Sequence, residues 1–295
     1  MAQSKVILVS GATGLVGKPL CRALAKRGHQ VRTISRSKEA DFQWSVKKEK
    51  MSAKAMEGVD VVIHLAGESV AQRWDEETRD RIIESRVVSG RMLVNAILQQ
   101  PNKPAYISAS GINYYGLDRN QLLDESAGTG RGFLSQVCQK WEAVAEPLTD
   151  AGIRTVFMRT GVVLSKKGGA LKKMLPVFQT GAGGRLGSGR QMMSWISLPD
   201  LVGAYVHAVE NEKVKGPVNA VAPNPVENRV FTKQLGKALG RPTFLPVPGA
   251  VIKTLFGDMG KETVLSNLKI APKNLKETGF VWKHPQLETA FAEIL

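Results

Sequence analysis

The sequence predicts an α/β protein: a doubly wound parallel sheet carrying a smaller mixed α/β substrate domain. Three observations lead there. An apolar run, Val6 to Val9, passes straight into glycines at Gly11, Gly14 and Gly17, and a helical pattern of Leu20, Ala23 and Leu24 follows. Short apolar runs then recur at 60–67, 105–110 and 154–161, with helix-length segments between them. Finally, 295 residues of which 43% are apolar suffice for a large core.

The opening strand, turn and helix set the chemistry. The first glycine lets a strand turn sharply, the second lets backbone N–H groups approach a pyrophosphate, and the third lets helix pack on strand, as in a Rossmann dinucleotide-binding unit. Gly11, Thr13, Gly14, Leu15, Val16 and Gly17 are therefore the expected phosphate cradle, aided by the partial positive charge of the helix N-terminus. Gly28 ends the helix, and Gln30 to Ser35 alternates like a second strand. A strand end about twenty residues past the glycines offers an acid to the ribose of NAD. Here Ser35 and Arg36 stand in that place. A hydroxyl and a guanidinium suit a 2′-phosphate, so the expected cofactor is NADP (NADPH); a plain surface arginine is the alternative.

Asp60 to Gly67 reads as a third strand, apolar enough to be covered on both faces. Its small exit residues, Leu65, Ala66 and Gly67, would let the adenosine lie across the sheet edge. His64 within it reads as a buried neutral histidine. The helical segment 75–99 carries Arg81 and Arg86, and Arg86 is a candidate for a cofactor phosphate. A fourth strand, Ala105 to Ser110, leads into Gly111-Ile-Asn-Tyr-Tyr-Gly116; one helix is expected over 133–148 and a fifth strand over 154–161.

The second region opens on a glycine-rich loop, Gly181 to Arg190, whose Arg185 and Arg190 could turn toward an anion or serve structure alone. Helices are expected over 199–211 and 227–239, the latter stopped by Gly240, with a strand over 217–221 between them. The segment 244–256 reads as a substrate lid. This gives a Rossmann domain of residues 1–165 and 195–223, and a smaller domain of 166–194 and 224–295.

The net charge of +15 raises the question of nucleic acid, but the basic residues are scattered and lack interleaved aromatics, which makes that partner unlikely on composition. Cys21 and Cys138 sit in helical apolar patterns and read as packing residues, not a disulfide. The four histidines have no metal-ligand spacing. No apolar run reaches eighteen residues, and the polar start at Ala2 does not read as a signal peptide, so a cytoplasmic protein is expected, with no membrane partner.

Ser10 to Gly17, Asp60 to Gly67, Arg159 to Val163 and Trp195 to Val202 together resemble the extended short-chain dehydrogenase/reductase superfamily. Leu65-Ala-Gly-Glu68, Lys140-Trp-Glu142, Gly168 to Pro176 and Leu186 to Gln191, with a tail from Met259, resemble its atypical, epimerase-like YfcH-type branch. The resemblance adds Val163 to the cofactor side. It also implies a Tyr-x-x-x-Lys pair, which the sequence lacks: four residues beyond Tyr106, Tyr114, Tyr115 and Tyr205 stand Ser110, Asp118, Arg119 and Val209. Taking Glu142 as anchor, Leu134 and Cys138 occupy the pair's register, and Gly111 occupies that of the family's serine. Ser110 and Tyr115 are then the candidate catalytic groups, Lys140 or Arg119 being the cation that would lower a tyrosine's pKa. Counted the same way, Met193 falls where nucleotide-sugar epimerases place a diphosphate-gripping arginine. With Tyr114, Arg185 and Arg190 it forms the candidate substrate set. The expected function is an NADP(H)-binding epimerase-like protein or oxidoreductase acting on a small, partly apolar substrate; a dinucleotide-binding sensor or scaffold without catalysis is the alternative.

Overall fold

The structure, a computed structural model, describes residues 3–295, apart from the side chains of Lys253, Leu255 and Phe256. Ala2 in the polar start and the Phe256 side chain of the expected lid lie outside the described residues. In chain order the elements are β1 (Val6–Ser10), α1 (Gly17–Lys26), β2 (Gln30–Ser35), β3 (Phe42–Ser45), β4 (Lys50–Met51), β5 (Val61–His64), α2 (Glu76–Leu98) and β6 (Ala105–Gly111). They continue with β7 (Asp118–Leu123), α3 (Phe133–Ala143), α4 (Glu146–Asp150), β8 (Thr155–Thr160), β9 (Val162–Leu164), α5 (Gly169–Gln179), β10 (Met192–Met193) and β11 (Trp195–Ser197). The chain closes with α6 (Leu198–Glu210), β12 (Gly216–Ala220), β13 (Val226–Glu227), α7 (Asn228–Leu239), α8 (Gly249–Thr263), β14 (Asn267–Ile270), α9 (Lys273–Glu277) and α10 (Leu287–Ile294).

Eight strands form one sheet in the order β12-β8-β6-β5-β1-β2-β3-β4, parallel except for the β3–β4 edge. The strand order reverses between β1 and β5, and such a reversal opens a crevice at the carboxyl edge. Register aligns that edge: Ser10 pairs with Ile34 on one side and His64 on the other, so Gly11, Ser35 and Leu65 leave the sheet at one level. Alternate strand residues feed two cores. Ile7, Val9, Ile63 and Ile107 meet α1 and α6 on one face, and Leu8, Val62 and Tyr106 meet α2 on the other. Strands covered on both faces must be apolar throughout, which is why β1 and β5 read as continuous runs.

A separate cluster of Leu171, Phe178, Phe231, Leu235, Leu287 and Phe291 joins α5, α7 and α10. Small two-stranded pairings, β9–β11, β10–β13 and β7–β14, connect this region to the sheet edge. Among the described residues no helix is long and apolar enough to cross a membrane.

One sequence expectation needs correction. The single helix expected over 133–148 divides, because Pro147 in the first turn of α4 has no N–H to give the carbonyl of Ala143. The segment 244–256 is tied by bridges to the glycine-rich loop, Gly184 to Phe244 and Leu186 to Val247, and Phe244 is 75% exposed.

Candidate functional site

At Gly11 and Gly17 the glycine turn leaves no room for a side chain. Gly11 has φ +71°, and a Cβ there would fall 2.8 Å from the Leu65 carbonyl carbon. A Cβ on Gly17 would fall 2.2 Å from the Gly11 oxygen, so α1 can start against the turn only with glycine. Gly14 closes the turn by donating to the Gly11 carbonyl at 3.1 Å. No side chain caps α1 and no acid lies in its first turn, which leaves the end of its dipole for an anion. Thr13, Leu15 and Val16 line the same turn, and the Leu15 side chain lies under Gly168, where a Cβ would come within 3.1 Å of it. The segment from Val163 to Gly168 thereby packs on the cradle.

At the end of β2, Ser35 Oγ accepts from the Ser37 amide at 2.9 Å and Arg36 is exposed. Asp41, six residues past Ser35, accepts from the amide and hydroxyl of Thr33 at 2.7 and 2.8 Å. It is held as a structural acceptor. Ala66 donates its amide to Ser10 Oγ at 3.4 Å, and Gly67 lies directly on the Arg86 guanidinium. Arg86 itself is 8% exposed, donates to the Ile82 and Glu68 carbonyls at 2.8 and 2.9 Å, and lies over the Trp141 ring. Burial brings its pKa down to about 10. These contacts make it a buried brace under the β5 exit. His64 is fully buried between Tyr106 and Ser89, at 2.8 and 2.9 Å, and burial, with Arg86 nearby, drives its pKa down to about 3. It is neutral.

At the far end of β6 the structure brings together the three registers of the resemblance. Gly111 faces Cys138, whose Sγ would lie 3.4 Å from a Cβ on Gly111, and Leu134 lies one helical turn earlier on α3. Burial, reinforced by Glu142, raises the Cys138 thiol to about 11. Beside them runs a buried polar network. Ser110 Oγ donates to Glu142 Oε1 at 2.6 Å, and Arg159 donates to both oxygens of Glu142, Nε to Oε1 at 2.9 Å and Nη2 to Oε2 at 2.7 Å. The remaining Arg159 nitrogen, Nη1, donates to Tyr115 OH at 2.9 Å, and that hydroxyl donates to Asn219 Oδ1 at 2.8 Å. The Arg159 guanidinium also lies 3.4 Å from the centroid of the Tyr114 ring. Burial lowers the Arg159 pKa, but its bonds to Glu142 outweigh that and the net shift is upward. For Tyr115, burial prevails over Arg159 and Asn219, and its pKa rises to about 12.

Arg159, not Lys140 or Arg119, is therefore the cation at Tyr115; Arg119 instead donates to the Thr129 carbonyl at 3.1 Å. Tyr115 is fully buried and both faces of its hydroxyl are taken. A further residue escaped the sequence reading. Glu262 of α8 sits with its carboxylate on the N-terminus of α3, accepting from the amides of Phe133 and Leu134 at 2.9 and 2.8 Å. Its own carbonyl accepts from Asn113 Nδ2 at 3.0 Å. The last part of the chain is thus fastened to the helix where the catalytic pair would stand. No spacing rule links Glu262 to Phe133 across so long a separation.

In the glycine-rich loop, Arg185 and Arg190 are exposed, and the backbone is held by bonds from Val247 N to Arg185 O and from Gly187 N to Val247 O, both 2.9 Å. A Cβ on Gly184 would fall 1.4 Å from the Leu245 oxygen, so packing alone requires glycine there. Met193 is half-buried and its sulfur accepts from Asn228 Nδ2 at 3.4 Å. Among the described residues no group of three His, Cys, Asp or Glu side chains gathers as a metal-ligand set.

The model of the NAD dependent epimerase/dehydratase family matches residues 7–221, from β1 through the end of the sheet. The chain belongs to that family. A second family model, a domain of unknown function (DUF1731), matches residues 247–294. Similar proteins include the epimerase family protein Mb2239 of Mycobacterium bovis, 38% identical over 95% of this chain and 94% of the relative. Epimerase family protein SDR39U1 of Homo sapiens is 36% identical over 98% of this chain and 99% of its own. A crystal structure of human SDR39U1 (isoform 2) with NADPH superposes with a TM-score of 0.91 at 34% identity, covering 98% of each chain. A nucleoside-diphosphate sugar epimerase from Corynebacterium glutamicum superposes at a TM-score of 0.82 and 32% identity, covering 99% of this chain and 58% of that longer one. The resemblance read from the motifs therefore holds, as does the Rossmann fold.

Proposed function

We propose that this protein binds NADPH and acts, as a cytoplasmic oxidoreductase or epimerase-like enzyme, on a small, partly apolar substrate without a Tyr-x-x-x-Lys pair. The observation that supports it most is the cradle: Gly11 and Gly17 occupy positions a Cβ would fill, under an uncapped α1, with Ser35 and Arg36 at the adjoining strand end. Thr13 to Gly17 would hold the pyrophosphate through backbone amides, Ser35 and Arg36 the 2′-phosphate, and Leu65 to Gly67 the adenosine side. The solved relative named with NADPH favours the same cofactor.

When bound, NADPH supplies a hydride to the substrate. Of the groups at the Gly111 edge, Ser110 is already hydrogen-bonded to the Glu142 side chain, 2.6 Å away, which is also ion-paired with Arg159. In our reading Ser110 holds the substrate oxygen; in the oxidative direction that oxygen's proton passes to Ser110 Oγ as the serine proton moves to Glu142. Tyr115 positions Arg159 from behind and donates no proton. Tyr114, Met193, Arg185 and Arg190 remain candidates for the substrate wall.

The test is incubation with NADPH deuterated at C4 and the small-molecule fraction of a cell extract. Stereospecific transfer of label, lost in Ser110→Ala, supports the reading. Tight cofactor binding with no transfer from any fraction would instead favour the sensor, a reading to which the apolar registers Leu134 and Cys138 lend weight.

A further inference from the structure

A groove between α7 and α10, on the second part of the chain, is left unused by the dinucleotide reading. It encloses about 1020 Å³ and is lined by Val230, Gln234, Ala238, Phe291, Ala292 and Leu295. Val230 and Leu295 are 38% and 37% exposed, so apolar surface reaches solvent along it. Three cations and one carboxylate line its rim. Arg229, Lys233 and Lys237 recur every four residues on α7, which puts them in one row on one face. Arg229 is paired with Glu227, whereas among the described residues no ion pair engages Lys233 or Lys237. The groove's one carboxylate, Glu288, accepts from Gln234 Nε2, and Gln234 Oε1 is buried with no hydrogen-bond partner.

An apolar floor beside a row of cations four residues apart matches a helix that carries apolar residues on one face and carboxylates at the same spacing beside it. We propose that this groove docks an acidic amphipathic helix of a partner protein. A second copy of this chain fits less well, since each carries +15 and would set the same cation row against its like. The row supplies orientation and speed of encounter, while Val230, Phe291 and Leu295 supply the buried contact.

The test uses the whole protein and two fluorescein-labelled peptides of identical composition, one with Leu and Glu arranged as an amphipathic helix and one scrambled. Fluorescence anisotropy at physiological salt should show saturable binding of the amphipathic peptide only. Lys233→Glu with Lys237→Glu should weaken it by at least about tenfold, since every tenfold is a modest 1.4 kcal/mol, and Val230→Asp should do the same without reversing the row. NADPH affinity should not change in either variant. Equal binding of the scrambled peptide, or unchanged affinity in both variants, overturns the proposal. So does concentration-dependent dimerisation lost in Val230→Asp, or pelleting with phosphatidylserine vesicles that outcompetes the peptide.

Discussion

Glu142 grips Arg159 in a bidentate ion pair inside the protein, with Nε to Oε1 at 2.9 Å and Nη2 to Oε2 at 2.7 Å. The pair joins α3 to β8, and through it Ser110 on β6 and Tyr115 beyond are held in fixed relation. Such a pair is geometry for the site more than surplus stability, because desolvation of both charges offsets most of their attraction.

Removing one partner should therefore be far worse than removing both. Glu142→Ala strands the buried guanidinium and should cost about 3–5 kcal/mol in urea unfolding. Glu142→Leu with Arg159→Met should recover much of that. A single variant as stable as the parent would mean that the pair is not buried as described.

Tyr115→Phe removes the hydroxyl that links Arg159 to Asn219. It should cost about 1–3 kcal/mol of stability, the usual cost of leaving buried polar groups without partners, while NADPH binding is retained. If a substrate is found, turnover should fall much less than in Ser110→Ala. An equal collapse of turnover would return Tyr115 to the role of proton donor.

Gly17→Ala should abolish dinucleotide binding, since its Cβ would fall 2.2 Å from the Gly11 oxygen and the turn must open to admit it. Gly128→Ala is the matched control, because a Cβ there meets nothing within 4 Å. Titration calorimetry distinguishes them. Binding that survives in Gly17→Ala would place the phosphates elsewhere.

His64 gives the stability a pH dependence of known sign. Its folded pKa, about 3, lies below the ordinary 6.5, so below 6.5 the unfolded chain takes up the proton more readily. The histidine's contribution is complete above about pH 6.5 and declines as the pH falls from there toward 3. Unfolding free energy measured at pH 7 and pH 5 should drop more in the parent than in His64→Gln. An equal drop in both would remove His64 as the cause.

Much of this was legible in the residues. Glycines at 11 and 17 each fill a role only glycine can, and apolar runs at β1 and β5 reported a sheet covered on both faces. Boundaries of α2, α6 and α7 fall within one residue of those expected, since Asp75 and Ser197 cap helices and Gly240 ends one at φ +63°. Pairings between distant segments were not legible. The β7–β14 ladder and the Glu262 cap depend on tertiary approach, and no local pattern encodes it. Arg159 offered a usable signal, an arginine in an otherwise apolar strand, which implies a buried partner. The bracing of Arg86 was not legible, because a helical arginine near a sheet edge looks the same in sequence whether or not it meets backbone carbonyls and a ring such as Trp141.

The central claim is that the early backbone amides and the Ser35-Arg36 strand end together select NADPH. Calorimetric titration of the parent and of Arg36→Ala with NADPH and NADH tests it directly. The account predicts that the parent binds NADPH at least about tenfold more tightly than NADH, a charge-assisted contact being worth about 1.5–3 kcal/mol, and that Arg36→Ala loses the difference while still binding NADH. Equal affinity for the two cofactors in the parent, or no binding of either, would contradict it.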